Sequence, residues 1–139
     1  MMQSSDSEPL TLTVPMPPNL ANARMHWRVR HKAKHDYWDT LDALYLLHRM
    51  PWPDAAPPER ASIKVRMYLG ARMDHDNAMA RLKFLLDWLV MSHYIADDSP
   101  KRLEWEGLPE QVVKRDGNYR VEITLTPLAA GGSPRRKEA

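Results

Sequence analysis

Apolar residues occupy every second position from Ile63 to Leu69 (Ile63, Val65, Met67, Leu69), with Ser62, Lys64, Arg66 and Tyr68 alternating among them. Successive side chains of an extended chain point to opposite sides, so this alternation predicts a strand with one buried face. Shortly afterwards Ala78, Leu82, Leu85, Leu86 and Leu89 recur at three- and four-residue spacing over about Asn77 to His93. That is the apolar stripe of an amphipathic helix. A strand that runs through a short polar turn into such a helix restricts the chain to folds in which helices lie back on a sheet. The turn between them carries Asp74-His75-Asp76-Asn77.

Weaker signals extend the same pattern. Leu10, Leu12 and Val14 alternate with Thr11 and Thr13 as a first strand, ended by Pro15-Met16-Pro17-Pro18-Asn19, where prolines remove ladder donors. Tyr37, Leu41, Leu44, Tyr45, Leu47 and His48 predict a helix from about Lys32 to Met50, stopped by Pro51. The four prolines between Pro51 and Pro58 read as a rigid connector. Leu103-Glu104-Trp105-Glu106 suits a strand. Asp116-Gly117-Asn118 is a turn signal, after which Tyr119, Val121, Ile123 and Leu125 make a last strand ended by Pro127. The expected fold is α/β (α+β), a small mixed sheet with two main helices in the order β-α-β-α-β-β. Residues 10–128 form one domain in this reading, flanked by a polar N-terminal segment (1–9) and a basic tail (129–139), both expected to be disordered.

Composition narrows the function classes. An apolar fraction of 43% supports a packed core. No run of about 18 apolar residues is present, so no membrane span is expected. Met1 to Pro9 lacks an apolar core of the secretory kind, and a cytoplasmic location is expected. The absence of cysteine excludes disulfides, thiolate metal sites and cysteine nucleophiles. The net charge of +2 is unevenly placed: the stretch from Arg24 to Lys34 holds five cations (Arg24, Arg28, Arg30, Lys32, Lys34) and no acid, together with Trp27. Arg135-Arg136-Lys137 adds a smaller cluster. Basic blocks with interleaved aromatics suit phosphate backbones and stacked bases, although a solvated helix start has the same composition.

The carboxylates carry the chemistry. One Asp before a helix is explained by capping. Asp74 and Asp76 together exceed what a cap needs, because like charges so close repel unless a cation holds them. Hard cations such as magnesium prefer oxygen ligands, often one or two carboxylates with waters and substrate phosphates, so Asp-x-Asp-Asn points to metal-dependent chemistry on a phosphodiester. At about 100° per residue, Asp76, Lys83 and Asp87 fall on one polar ridge opposite the apolar stripe. A second acidic pair, Asp97-Asp98, follows the helix; a loop folding back along the helix or sheet edge is needed to return it to the first pair.

In this order the pieces resemble the RusA family of Holliday-junction resolvases, small phage and prophage endonucleases. The matching residues are Val14-Pro15-Met16-Pro17-Pro18-Asn19 with Asn22 behind it, Asp74-His75-Asp76-Asn77, Lys83 with Asp87, and Asp97-Asp98. The similarity spans about Leu10 to Thr126. It implies that Asp74, Asp76 and Asp98, with Asp97 a further candidate, bind catalytic magnesium, for which manganese can substitute, and that Lys83 is the catalytic lysine. Asn19, Asn77 and Asp87 would support the motif. One departure stands out: the best-known members place that lysine one turn after the second Asp, where this chain has Ala80. Lys83 lies two turns on, and Asp98 is displaced by the same three residues, as a three-residue insertion near the helix start would produce. The resemblance further implies a homodimer that cuts branched, four-way DNA by symmetric paired nicks, with Arg24, Trp27, Arg28, Arg30, Lys32 and Lys34 contacting DNA. The alternatives are a non-catalytic DNA-binding or assembly protein on the same fold and a magnesium-dependent hydrolase of small nucleotides.

Overall fold

The computed structural model describes residues 8–19, 27–53 and 56–128. The element order is β1 (Leu10–Pro15), α1 (Trp27–Leu46), β2 (Arg60–Leu69), α2 (His75–Met91), β3 (Leu103–Trp105), β4 (Glu110–Val113) and β5 (Arg120–Leu128). The class is the mixed α/β one expected, with one strand more than the pattern predicted. β5 lies between β1 and β2 and is antiparallel to both, through pairs such as Leu12↔Ile123 and Val65↔Ile123. β3 and β4 share the far edge of β2, both parallel to it, against Ala61–Ile63 and Arg66–Leu69 respectively.

The period-2 reading of β2 translates directly into packing. Ile63, Val65, Met67 and Leu69 are buried, as are Leu12 and Val14 of β1 and Val121, Ile123 and Leu125 of β5. They form one core with Tyr37 and Leu41 of α1 and Ala78, Leu82, Leu85 and Leu89 of α2. The opposite face of β2 is occupied by polar bonds: Ser62 Oγ to Glu106 Oε2 at 2.7 Å, Arg66 Nε to Glu110 Oε1 at 3.0 Å, and Tyr68 Oη to Glu122 Oε1 at 3.1 Å.

The helices are joined by two indole bonds. Trp38 Nε1 donates to the Phe84 carbonyl at 2.9 Å, and Trp88 Nε1 donates to Asp42 Oδ1 at 2.8 Å. A buried indole N–H needs such a partner. The proline loop after β1 is fixed at two carbonyls: Tyr37 Oη donates to Pro15 O and Arg81 Nε to Pro17 O, both at 2.8 Å.

Several boundaries differ from the sequence reading. α1 starts at Trp27 rather than Lys32, so the basic block from Trp27 onward is helical; its first two turns carry no apolar stripe to reveal them. It ends at Leu46 rather than Met50, because His48 adopts a left-handed backbone (φ 56°) and the Trp52 indole takes the Tyr45 carbonyl at 2.6 Å. α2 runs from His75 to Met91 instead of Asn77 to His93. β4 was not expected at all, being four residues of half-exposed chain. β5 continues through Pro127. The β1 pairing starts at Leu10↔Leu125, so beyond Leu125 β5 has β2 on one side only, where a missing N–H is tolerated. The two tails expected to be disordered (apart from Glu8 and Pro9), with the Arg135-Arg136-Lys137 cluster, lie outside the described residues.

Trp88 is 1% exposed and touches both helices and the core. Trp88→Ala is expected to lower the unfolding free energy by about 3–5 kcal/mol, measured by urea denaturation followed by far-UV circular dichroism.

Candidate functional site

The acidic turn forms because Gly70 ends β2 and the chain must reverse onto the core before α2 begins. Asp74 occupies the N-cap position with extended backbone (φ −61°, ψ 150°), yet its side chain makes no capping hydrogen bond. Asp76 lies in the first turn. Both are exposed, and neither has a side-chain partner among the described residues. Capping therefore does not account for the Asp74 carboxylate. Asn77 is half-buried beside them.

Further along the same face, Lys83 Nζ sits 3.2 Å from Asp87 Oδ1 and 3.2 Å from Asp98 Oδ2. The first contact is the one that i,i+4 spacing predicts. The second joins residues 15 apart and depends on how α2 ends. Ser92 is the C-cap, and its N–H donates to Trp88 O. His93 takes a left-handed backbone (φ 67°), and Tyr94 N–H donates to Leu89 O at 2.9 Å. Tyr94 and Ile95 then bury at 3% and 1% exposure, and Tyr94 Oη donates to Pro51 O at 2.6 Å. Anchored at these points, the loop returns Asp98 along the helix. Asp98 is the half-buried member of the pair, whereas Asp97 is exposed to solvent.

The Lys83 ammonium is held above its ordinary value of 10.5, first by its hydrogen bond to Asp87 and then by that to Asp98. It is therefore a fixed cation at neutral pH. Asp76 and Lys83 are seven residues apart, about 10 Å along the axis. Thus the ridge carries the Asp76 carboxylate in the first turn of α2, just after Asp74, and an ammonium between two further carboxylates two turns on. Among the described residues no group of three or more His, Asp or Glu side chains is close enough to hold a metal ion. Magnesium itself requires only one or two carboxylates, the remainder being water and substrate oxygens. The hard-oxygen pair of Asp74 and Asp76 fits that requirement; Asp98 is engaged by Lys83, and Asp97 lies in the loop beside it.

The basic residues occupy the first turns of α1, which meets α2 around Phe84. Trp27 (65% exposed), Arg28, Arg30, His31 and Lys32 are exposed, and Lys34 is half-buried. Trp27, Arg30, His31 and Lys34 line one cavity with Phe84, the residue after Lys83. Trp27, His31, His35 and Trp38 contact in series along the helix, ring centroids 6.4, 4.3 and 5.2 Å apart. Arg28 lies over Trp27, and Lys34 lies over Trp38. Lys32 pairs with Asp36 at 2.7 Å. Arg24 and Asn22 lie outside the described residues. Asn19 is distant from Lys83 in role: it lines a separate cavity with Arg81, on another side of α2. The His31–His35 contact and the Arg81 cavity were not anticipated; four-residue spacing of His31, His35 and Trp27 was the available signal for the first. His75 and His93 are exposed residues at the two ends of α2.

Compared with family models and with curated proteins, the chain matches none.

The raised pKa of Lys83 fixes a sign. Stability from its contacts is present below its ordinary value of about 10.5 and is lost as pH rises through the higher folded value. Asp98→Asn is expected to lower the Lys83 midpoint, read by NMR of the Nζ resonance. The same change should alter the unfolding free energy by less than about 1 kcal/mol, since exposed pairs contribute little.

Proposed function

We propose that this chain is a magnesium-dependent endodeoxyribonuclease of the RusA type, acting on branched DNA. The observation that carries the reading is the return of Asp98 to Lys83, which sets the second acidic motif on the helix face that begins at Asp76. Capping leaves the Asp74 carboxylate unused, which supports a role for it in the reaction.

Asp74 and Asp76 would hold the magnesium ion, with manganese a substitute. The chemistry that magnesium supplies when bound is activation of water and neutralisation of charge on the scissile phosphate. Lys83 presents a positive charge to the negative charge that develops in phosphodiester hydrolysis. Asp87 and Asp98 orient that ammonium from two sides, so it need not reorganise during the reaction. Trp27, Arg28, Arg30, Lys32 and Lys34 present cations and an exposed ring beside the ridge for sequence-independent backbone contacts. Resolution of a four-way junction by paired symmetric nicks requires two such sites, hence a homodimer. No helix among the described residues is long and apolar enough to cross a membrane.

A second reading, a non-catalytic DNA-binding protein on this fold, draws on Lys83 being already matched by two carboxylates.

The deciding experiment is cleavage of a labelled synthetic four-way junction beside linear duplex, in magnesium, manganese or EDTA. Asp76→Asn is expected to bind the junction with near-native affinity while cleavage falls at least about a hundredfold. Cleavage by this variant at the native rate rules out the site assignment; binding without nicks by the native chain supports the second reading. Lys83→Met is expected to slow cleavage by about tenfold or more without abolishing binding, as loss of one electrostatic donor does.

A further inference from the structure

Arg81 does not share the ridge of Lys83. It lies about 140° around the axis from Asp76, so the acidic turn does not neutralise it. It lines a cavity of about 400 Å³ with Asn19, Gly70, Arg72 and Tyr119. Among the described residues no acidic side chain lines this cavity, and neither Arg72 nor Arg81 has a carboxylate partner. Arg81 is half-buried, and burial pushes its guanidinium down from the ordinary value, opposed by the nearby Tyr37. Its Nε is committed to Pro17 O. Its terminal nitrogens make no bond to another side chain or carbonyl among the described residues. A half-buried guanidinium in the lining of a cavity is a binding group for a planar oxyanion, which it engages through two parallel bonds.

The cavity is shaped by close contacts. A Cβ placed on Gly70 would meet Tyr119 Oη at 2.6 Å, so the tyrosine hydroxyl lies against the end of β2. Met73 forms part of the lining and is held by Gln111, which accepts from Met73 N–H and donates to Met73 O, both at 2.9 Å. The same wall therefore leads straight into Asp74.

We propose that this groove is a phosphate site, in which Arg81 and Arg72 hold a backbone phosphate of a DNA strand beside the acidic turn. Arg81 is thereby a positioning residue. The inference rests on the nucleic-acid reading for the identity of its ligand alone. Inorganic phosphate shares the chemistry, and the test separates the two sources.

The test uses the full chain in EDTA, so that it needs no cleavage. Amide and arginine Nε–H resonances are followed by ¹⁵N NMR during titration with a short duplex and, separately, with inorganic phosphate. With duplex, saturable shifts are expected at Gly70, Arg72, Tyr119 and the Arg81 side chain. Arg81→Gln and the exposed variant Arg72→Gln should each reduce the slope of log affinity against log salt by about 0.9, one phosphate contact; Arg72→Gln keeps the test decisive where Arg81→Gln fails to fold. Duplex binding that leaves these signals and both slopes unchanged overturns the proposal, as does absence of response to either ligand. Shifts with inorganic phosphate alone overturn the assignment to a DNA strand. A native chain that binds here but never nicks DNA leaves this inference standing and removes the nuclease reading.

Discussion

The burial of one face of α2 governs this molecule. Ala78, Leu82, Leu85 and Leu89 must face the sheet, because several apolar side chains together are too costly to leave in water. Once they do, a period of 3.6 residues dictates where everything else on the helix points. Asp76, Lys83 and Asp87 are placed on the outer ridge, Arg81 toward the proline loop, and Phe84 toward α1. The polar chemistry is thus arranged by apolar packing, and no charged contact is required to hold the ridge in place.

The same packing controls the second acidic motif. The turn after α2 passes through His93, a non-glycine residue with positive φ, a conformation that costs of order 1 kcal/mol. Burial of Tyr94 and Ile95 offsets that cost. The Asp98 carboxylate is therefore positioned from beneath, by two core residues and the Tyr94 bond to Pro51.

Legibility in the sequence followed signal strength. β2 and α2 were readable because each shows a clean period over a long run, and the Lys83–Asp87 pair follows from spacing alone. The start of α1 was hidden: Trp27 to Ala33 has a helical backbone but no apolar stripe, and its charged composition suits a loop equally. β4 was invisible because Glu110–Val113 is short and lies at an edge, paired through β2 rather than through any local turn. Pro127 was misread as a terminator because its tolerance depends on which neighbouring strand is absent there. In the candidate site, the approach of Asp98 to Lys83 depends on one left-handed residue and two buried ones, none of which announces its direction. The cavity of Arg81 joins Asn19, Arg72 and Tyr119 from three distant stretches of chain, a convergence that only tertiary structure produces.

The two indole bonds between the helices have a geometric consequence. Their anchor points are Trp38 and Asp42 on α1, and Phe84 and Trp88 on α2, so each helix is gripped at positions one turn apart. A two-point grip removes both sliding and rolling of one helix against the other. A single residue inserted between the anchors of either helix would rotate everything beyond it by about 100° and break one bond whichever helix received it. Additions in the proline connector before β2 disturb neither anchor. Chain length is accordingly fixed between the anchors of each helix, 38 to 42 and 84 to 88, and that spacing keeps α1 in register with α2.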